Sequence, residues 1–160
     1  MTDVNISCCF TGHRRIESED MPFINAALET EIIKMILNGI RYYYCGGAMG
    51  FDMLAEKTVI KLRKEYPEIK LIIAVPHKGQ SNSFGEKAKR EYDEILAQAD
   101  TVHYVSEQYV KGCMHRRNRY MVDRSSHCIC YLNKETGGTA YTVEYARQRG
   151  LRIMNLVDLL

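Results

Sequence analysis

Apolar positions along the chain alternate between two spacings. Short apolar runs recur at 4–10 (VNISCCF), 41–45 (RYYYC), 69–75 (IKLIIAV), 101–106 (TVHYVS), 127–132 (HCICYL) and 152–157 (RIMNLV), and these predict six strands. Between them the apolar residues move to helical spacing. Ile24, Leu28, Ile32, Met35 and Ile36 form one stripe over 22–37, and Phe51, Leu54, Ala55, Val59 and Leu62 form another over 50–65. Segments 85–98, 114–125 and 140–149 complete five helices. Strict strand–helix alternation predicts an α/β fold: one three-layer domain with a mainly parallel sheet of about six strands, right-handed crossovers and helices on both faces. No repeat, low-complexity tract or linker divides the chain, so one domain is expected over 1–160.

Composition narrows the picture modestly. The chain has 160 residues, 46% of them hydrophobic and 26% charged, in the range of globular proteins with a sizeable core. A net charge of +2 argues against a general polyanion binder, so attraction for anions has to come from local clusters. Cys8, Cys9, Cys45, Cys113, Cys128 and Cys130 include no C-x-x-C pair, and all but Cys113 lie in strand-like runs. Free buried thiols in a reducing compartment are expected. With no leader-like N-terminus and no apolar run near the ~18 residues of a membrane span, the expectation is a cytoplasmic protein without membrane contact. His13, His77, His103, His115 and His127 do not fall at metal-ligand spacing with cysteines or carboxylates, so no metal site is expected.

In open parallel sheets, ligands bind beyond the carboxyl ends of the strands. The segments after the strands therefore carry the candidate chemistry. After the first strand, TGHRR offers Thr11, Gly12, His13 and Arg14, either as a ligand-binding turn or as an ordinary polar loop. After the second, CGGAMGFD offers Gly46, Gly47 and Gly50, whose backbone could approach a phosphate. Asp52 there is either a ribose-hydroxyl acceptor or a carboxylate favouring a helix start. After the third, Lys78, Gln80 and Ser81 are ligand contacts or turn chemistry.

The densest positive stretch, CMHRRNRYMVDRSS, lies on the helix at 114–125. At about 100° per residue, Met114, Asn118, Met121 and Ser125 share a face, with Arg117 and Val122 flanking it and Arg116, Arg119 and Asp123 turned away. Asn118 either satisfies neighbouring backbone or meets a ligand, and Arg117 is the candidate partner for an anion. After the fifth strand, Gly137 and Gly138 open a helix whose free amides suit a phosphate, Thr139 and Thr142 add hydroxyls, and Glu144 follows in the first turns. A carboxylate there supports the helix or serves glycosidic-bond chemistry.

Taken in order, FTGHR, GGAMGFDMLA, RRNRYMVDRSS and GGTAYTVEYA resemble the YpsA-like branch of the SLOG superfamily, over nearly the whole chain. The superfamily also holds the Lonely Guy phosphoribohydrolases and the Smf/DprA DNA-processing proteins. The resemblance implies a Rossmann-like domain that binds a nucleotide or nucleotide-derived phosphate ligand. MHRRNRYM is similar to the Lonely Guy segment M-H-x-R-K-x-x-M and places Arg117 on the family's essential arginine, while Asn118 replaces its lysine. Against P-G-G-x-G-T-x-x-E, Gly137 and Gly138 match and Glu144 falls on the catalytic glutamate. Thr136, Ala140 and Tyr141 replace the proline, a glycine and the threonine. If the protein is an enzyme, the resemblance implies a nucleotide N-glycosidase with Arg117 and Glu144 as catalytic residues. A DprA-like association with DNA is the third reading, and nucleic acid is the less expected partner because only the run 111–124 supports it. No cofactor is implied, although a Mg2+ accompanying the ligand's phosphate is compatible with the pattern. The Lonely Guy likeness also raises a homodimer.

Overall fold

The computed structural model describes residues 3–160. The chain begins with a 3-10 turn at Val4–Ile6 and then alternates: β1 (Ser7–Gly12), α1 (Met21–Leu37), β2 (Tyr42–Cys45), α2 (Phe51–Arg63), β3 (Lys70–Val75), α3 (Glu86–Gln98), β4 (Thr101–Tyr104), α4 (Cys113–Asp123), β5 (His127–Tyr131), α5 (Gly138–Gln148) and β6 (Arg152–Asn155). Short 3-10 turns follow β3 at Gln80–Ser83 and β6 at Leu156–Leu159. The expected elements are all present. Two strand ends differ from the pattern, because the apolar residues at 4–6 and 156–157 belong to 3-10 turns. Asp3 and Asn155 cap these two turns through their side chains, accepting from the amides of Asn5 and Val157.

The six strands pair in the order β4-β3-β2-β1-β5-β6, and every pairing is parallel. From β1 the chain steps outward through β2, β3 and β4. It then crosses back over β1 to β5 and steps outward the other way to β6. Right-handed crossovers in opposite directions put their helices on opposite faces. α1, α2 and α3 accordingly cover one face, on a core that includes Phe10, Tyr43, Phe51 and Tyr131. α4 and α5 cover the other, on Cys9, Tyr44, Met121, Cys128 and Val143. The order of strands reverses between β1 and β5, which stay paired to their last residues, Gly12 and Tyr131, and the connections leaving them run to opposite faces, which opens a crevice at that switch point.

Local sequence explains the boundaries that matter for this crevice. Pro22 occupies the first turn of α1, where its missing N–H costs nothing. Gly12 ends β1 against the ring of Phe51, and no side chain fits there. The six cysteines are free and buried, three of them (Cys9, Cys128 and Cys130) together beneath α4 and α5. Among the described residues no helix is long and apolar enough to cross a membrane.

Candidate functional site

A cleft of about 300 Å³ opens at the switch point. The β1–α1 turn lines it with His13 and Arg14, and Thr11 and Gly12 line it from the end of β1. α5 contributes Gly138 and Thr139, α4 contributes Met114, Arg117 and Asn118, and the β2–α2 junction contributes Ala48 and Asp52. Four stretches far apart in sequence thus meet around one opening.

The α5 side is built for an anion. Gly137 precedes the helix at φ +105, and no side chain caps it. The first helical amide bond runs from Tyr141 to the Gly137 carbonyl, so the amides at 138–140 have no intrahelical acceptor. They sit at the positive end of the helix dipole. Thr139 borders the cleft, whereas Thr142 is buried and donates its hydroxyl to the Gly138 carbonyl at 2.8 Å, bracing the turn. Gly137 itself does not border the cleft.

The β2–α2 turn is organised differently from a phosphate cradle. The Gly47 amide donates to Glu56 Oε2 at 3.0 Å and the Ala48 amide to Asp52 Oδ2 at 3.3 Å. The Gly46 carbonyl accepts from Arg117 Nη1 and from Gln80 Nε2, the latter at 3.0 Å. Arg117 Nη1 also reaches the Ala74 carbonyl at 3.4 Å, and its Nε donates to Asn118 Oδ1 at 2.7 Å. The amides at 47 and 48 are therefore already engaged by the protein's own carboxylates. Gly46 and Gly47 serve close packing, since a Cβ at Gly46 would lie 2.6 Å from Arg117 Nη1. Gly50, at φ +79, lets α2 start directly against the Arg14 carbonyl. None of these three glycines borders the cleft.

This turn encloses a buried charge cluster. Asp52, Glu56 and Arg117 are at most 6% exposed. Burial pushes the Asp52 carboxyl up to about 6, against the opposing pull of Arg117 and the amides of Ala48 and Gly46. Burial, and then the nearby Asp52, raise Glu56 well above the usual carboxylate range. Burial lowers Arg117, while Asp52 and Glu56 act to keep it charged. Glu56 escaped the sequence reading, although its phase was legible: with Asp52, Ala55, Val59 and Leu62 it lies on the helical stripe that packs inward.

His13 ties two walls of the site together. Its Nε2 accepts the Asn133 amide at 3.1 Å, a bond that assigns the proton to Nδ1. Burial, and then the charge of Lys134, lower its pKa from 6.5. Because the folded value lies below the unfolded one, this bond's contribution is complete above pH 6.5 and is lost as pH falls through the folded value. Proton titration of the ring by NMR should give a midpoint below 6.5, and exchange protection of the Asn133 amide should fall with the same midpoint. A midpoint at or above 6.5 would remove the argument.

The remaining candidates fall elsewhere. Glu144 is exposed, pairs with Arg147, and borders outer concavities beside Tyr141 and Gln148. The structure does not bring it to Arg117. Ser125 donates to the Met121 carbonyl at 2.8 Å. Gln80 and Ser81 are buried, and Gln80 is an internal clamp whose Oε1 accepts from Tyr92. Lys78 pairs with Glu107 at the surface. Of the positive stretch, Arg116 is solvated, Arg119 donates to the Tyr141 hydroxyl at 3.1 Å, and Arg124 lies 3.7 Å over the Tyr120 ring. Among the described residues no group of three or more His, Cys, Asp or Glu is placed to hold a metal ion.

Comparison with known proteins gives the following. The family model described as the YspA SLOG family matches residues 8–158. A UPF0398 protein of Halalkalibacterium halodurans is 28% identical over 130 residues, covering 79% of this chain and 69% of the relative. A UPF0398 protein of Bacillus velezensis is 26% identical over 136 residues, covering 83% and 75%. Among solved structures, DNA processing protein A from Helicobacter pylori, described for its single-stranded DNA binding mode, superposes with a TM-score of 0.68 at 20% identity over 92% of this chain. DNA processing protein A from Streptococcus pneumoniae gives 0.65, also at 20% identity and 92% coverage. The chain spans 63% and 48% of these two structures, and the likeness is one of fold.

Proposed function

The chain belongs to the YspA SLOG family, and from that premise and the switch-point cleft we propose that it binds a nucleotide or nucleotide-derived phosphate ligand. One observation carries this reading: the uncapped start of α5, with its unpaired amides at 138–140, borders the same cleft as Arg14, Asn118 and Asp52. The amides and Arg14 receive the phosphate. Asn118 and Asp52 offer an amide and a carboxylate to hydroxyls of a sugar. Arg117 supports the site from beneath, with its guanidinium spent largely on the Gly46 and Ala74 carbonyls and on Asn118.

The reading is one of binding, because the carboxylate that the hydrolase alternative needs, Glu144, faces away from the cleft. Calorimetric titration with a panel of nucleoside mono- and diphosphates, nucleotide sugars and ADP-ribose tests it. Absence of binding by every member would sink it. Arg14 is exposed and borders the cleft, so Arg14→Ala should leave the melting temperature unchanged. It should weaken the best phosphate ligand by about tenfold or more, the worth of one hydrogen bond to a charged group.

A further inference from the structure

The switch-point cleft has a neighbour. A second cavity of about 300 Å³ lies over the carboxyl ends of β2 and β3, and Arg14, Ala48, Met114 and Arg117 border both. Each cavity alone is at the bottom of the size range for small-molecule sites, about 300–1,000 Å³. Joined across their common ridge, they suit a molecule of two parts.

The chemistry of the two cavities differs. The first presents arginine, histidine and free amides. The second shares the two arginines and adds the Phe84 and Tyr109 rings and the Met49 thioether, with His77, Gln80, Asn82 and Ser83 as its own polar residues and no carboxylate among its lining residues. Aromatic faces and thioethers suit a flat, polarisable ring, and an amide and a hydroxyl suit the donors and acceptors on its edge. Tyr109 is 64% exposed, an unusual state for a large aromatic ring in a concave site, and stands edge-on to His77 with ring centroids 5.5 Å apart. The walls come from two loops, one after β3 and one after β4, linked by the Lys78 amide donating to the Glu107 carbonyl at 3.3 Å.

We propose that the second cavity receives a planar nitrogen heterocycle, so that the ligand is a nucleoside phosphate lying across the carboxyl edge of the sheet, its base between Tyr109 and Phe84 and its phosphate at α5. This rests on the phosphate reading of the first cleft and adds the base, its place and the residues that hold it.

The test compares inorganic pyrophosphate, ribose 5-phosphate and the four common ribonucleoside diphosphates by calorimetry, on the native chain and on Tyr109→Ala, Tyr109→Phe and Asn82→Ala. At least one nucleoside diphosphate should bind tenfold or more tightly than pyrophosphate. Tyr109→Ala should remove most of that advantage, about 10- to 100-fold for one stacked base, while pyrophosphate affinity stays within about twofold. Tyr109→Phe should keep the advantage. Asn82→Ala should change the preference among bases. Nucleoside diphosphates binding no tighter than pyrophosphate, or Tyr109→Ala weakening both equally or neither, overturns the second cavity while leaving the phosphate site standing. No binding by any probe overturns the phosphate site, and the second cavity with it.

Discussion

Replacing Arg117 by alanine is expected to destabilise the protein by about 3–5 kcal/mol, the cost of stripping the partner from a buried charge cluster. For a chain of this length that lowers the melting temperature by on the order of 10 °C. Three losses combine: the bonds to the Gly46 and Ala74 carbonyls, the bond to Asn118, and the positive charge beside Asp52 and Glu56. The damage depends on pH in a defined direction. Asp52 already titrates near 6 in the folded chain because of burial, and without the arginine its folded value rises further. A carboxyl whose folded pKa exceeds its unfolded one stabilises most below the unfolded value and loses that contribution as pH rises. The deficit of Arg117→Ala relative to the native protein should therefore be largest at pH 8 and shrink toward pH 5. Arg117→Lys should recover only part of it, since one ammonium cannot reproduce the planar fork. Urea denaturation at several pH values measures all of this, and a variant melting within about 2 °C of the native protein at pH 8 would refute the role given to Arg117.

Gly50→Ala is expected to cost about 3 kcal/mol and to weaken phosphate binding at a site Gly50 does not touch. Its φ of +79 is strained for any side chain, at about 1–3 kcal/mol. A Cβ there would also overlap the Arg14 carbonyl, and crowding of this kind adds a comparable amount. The neighbouring Phe51 amide donates to the His13 carbonyl at 3.1 Å, so the overlap displaces the turn that holds His13 and Arg14. Gly150 supplies the control, because its φ is +80 but nothing lies within 4 Å of a Cβ placed there. Gly150→Ala should cost only the backbone strain, nearer 1 kcal/mol, and leave pyrophosphate affinity intact. Equal costs at the two positions would show that the contact with Arg14 contributes nothing.

Most of the fold was legible because a parallel sheet buries its strands on both faces. IKLIIAV and HCICYL announce themselves as continuous apolar runs, and the helices between them keep a clean period. The convergence of the turns after β1 and β5 followed from the general location of ligand sites in such sheets. Two things were less accessible. Motif matching pointed to Glu144 as a partner for Arg117, yet Thr139, Thr142, Val143 and Ala146 define the buried stripe of α5, and that phase turns Glu144 outward. Position along a motif was a weaker guide than rotation about the helix. The glycines at 46 and 47 looked like a bed for phosphate because nothing local reveals that Glu56, nine residues on, claims one of their amides. Gln80 was marked as a possible ligand contact for the same reason, and its buried bonds to the Gly46 carbonyl and Tyr92 depend on a loop 34 residues away from that carbonyl.

The saturation of the 46–48 turn by its own side chains has a kinetic corollary. A receptor wall whose polar groups are already spoken for does not need an occupant to take shape, so little of the association energy goes into rearranging it. Congeners that differ only in the ring they carry should then arrive at nearly the same speed and be told apart by how long they stay.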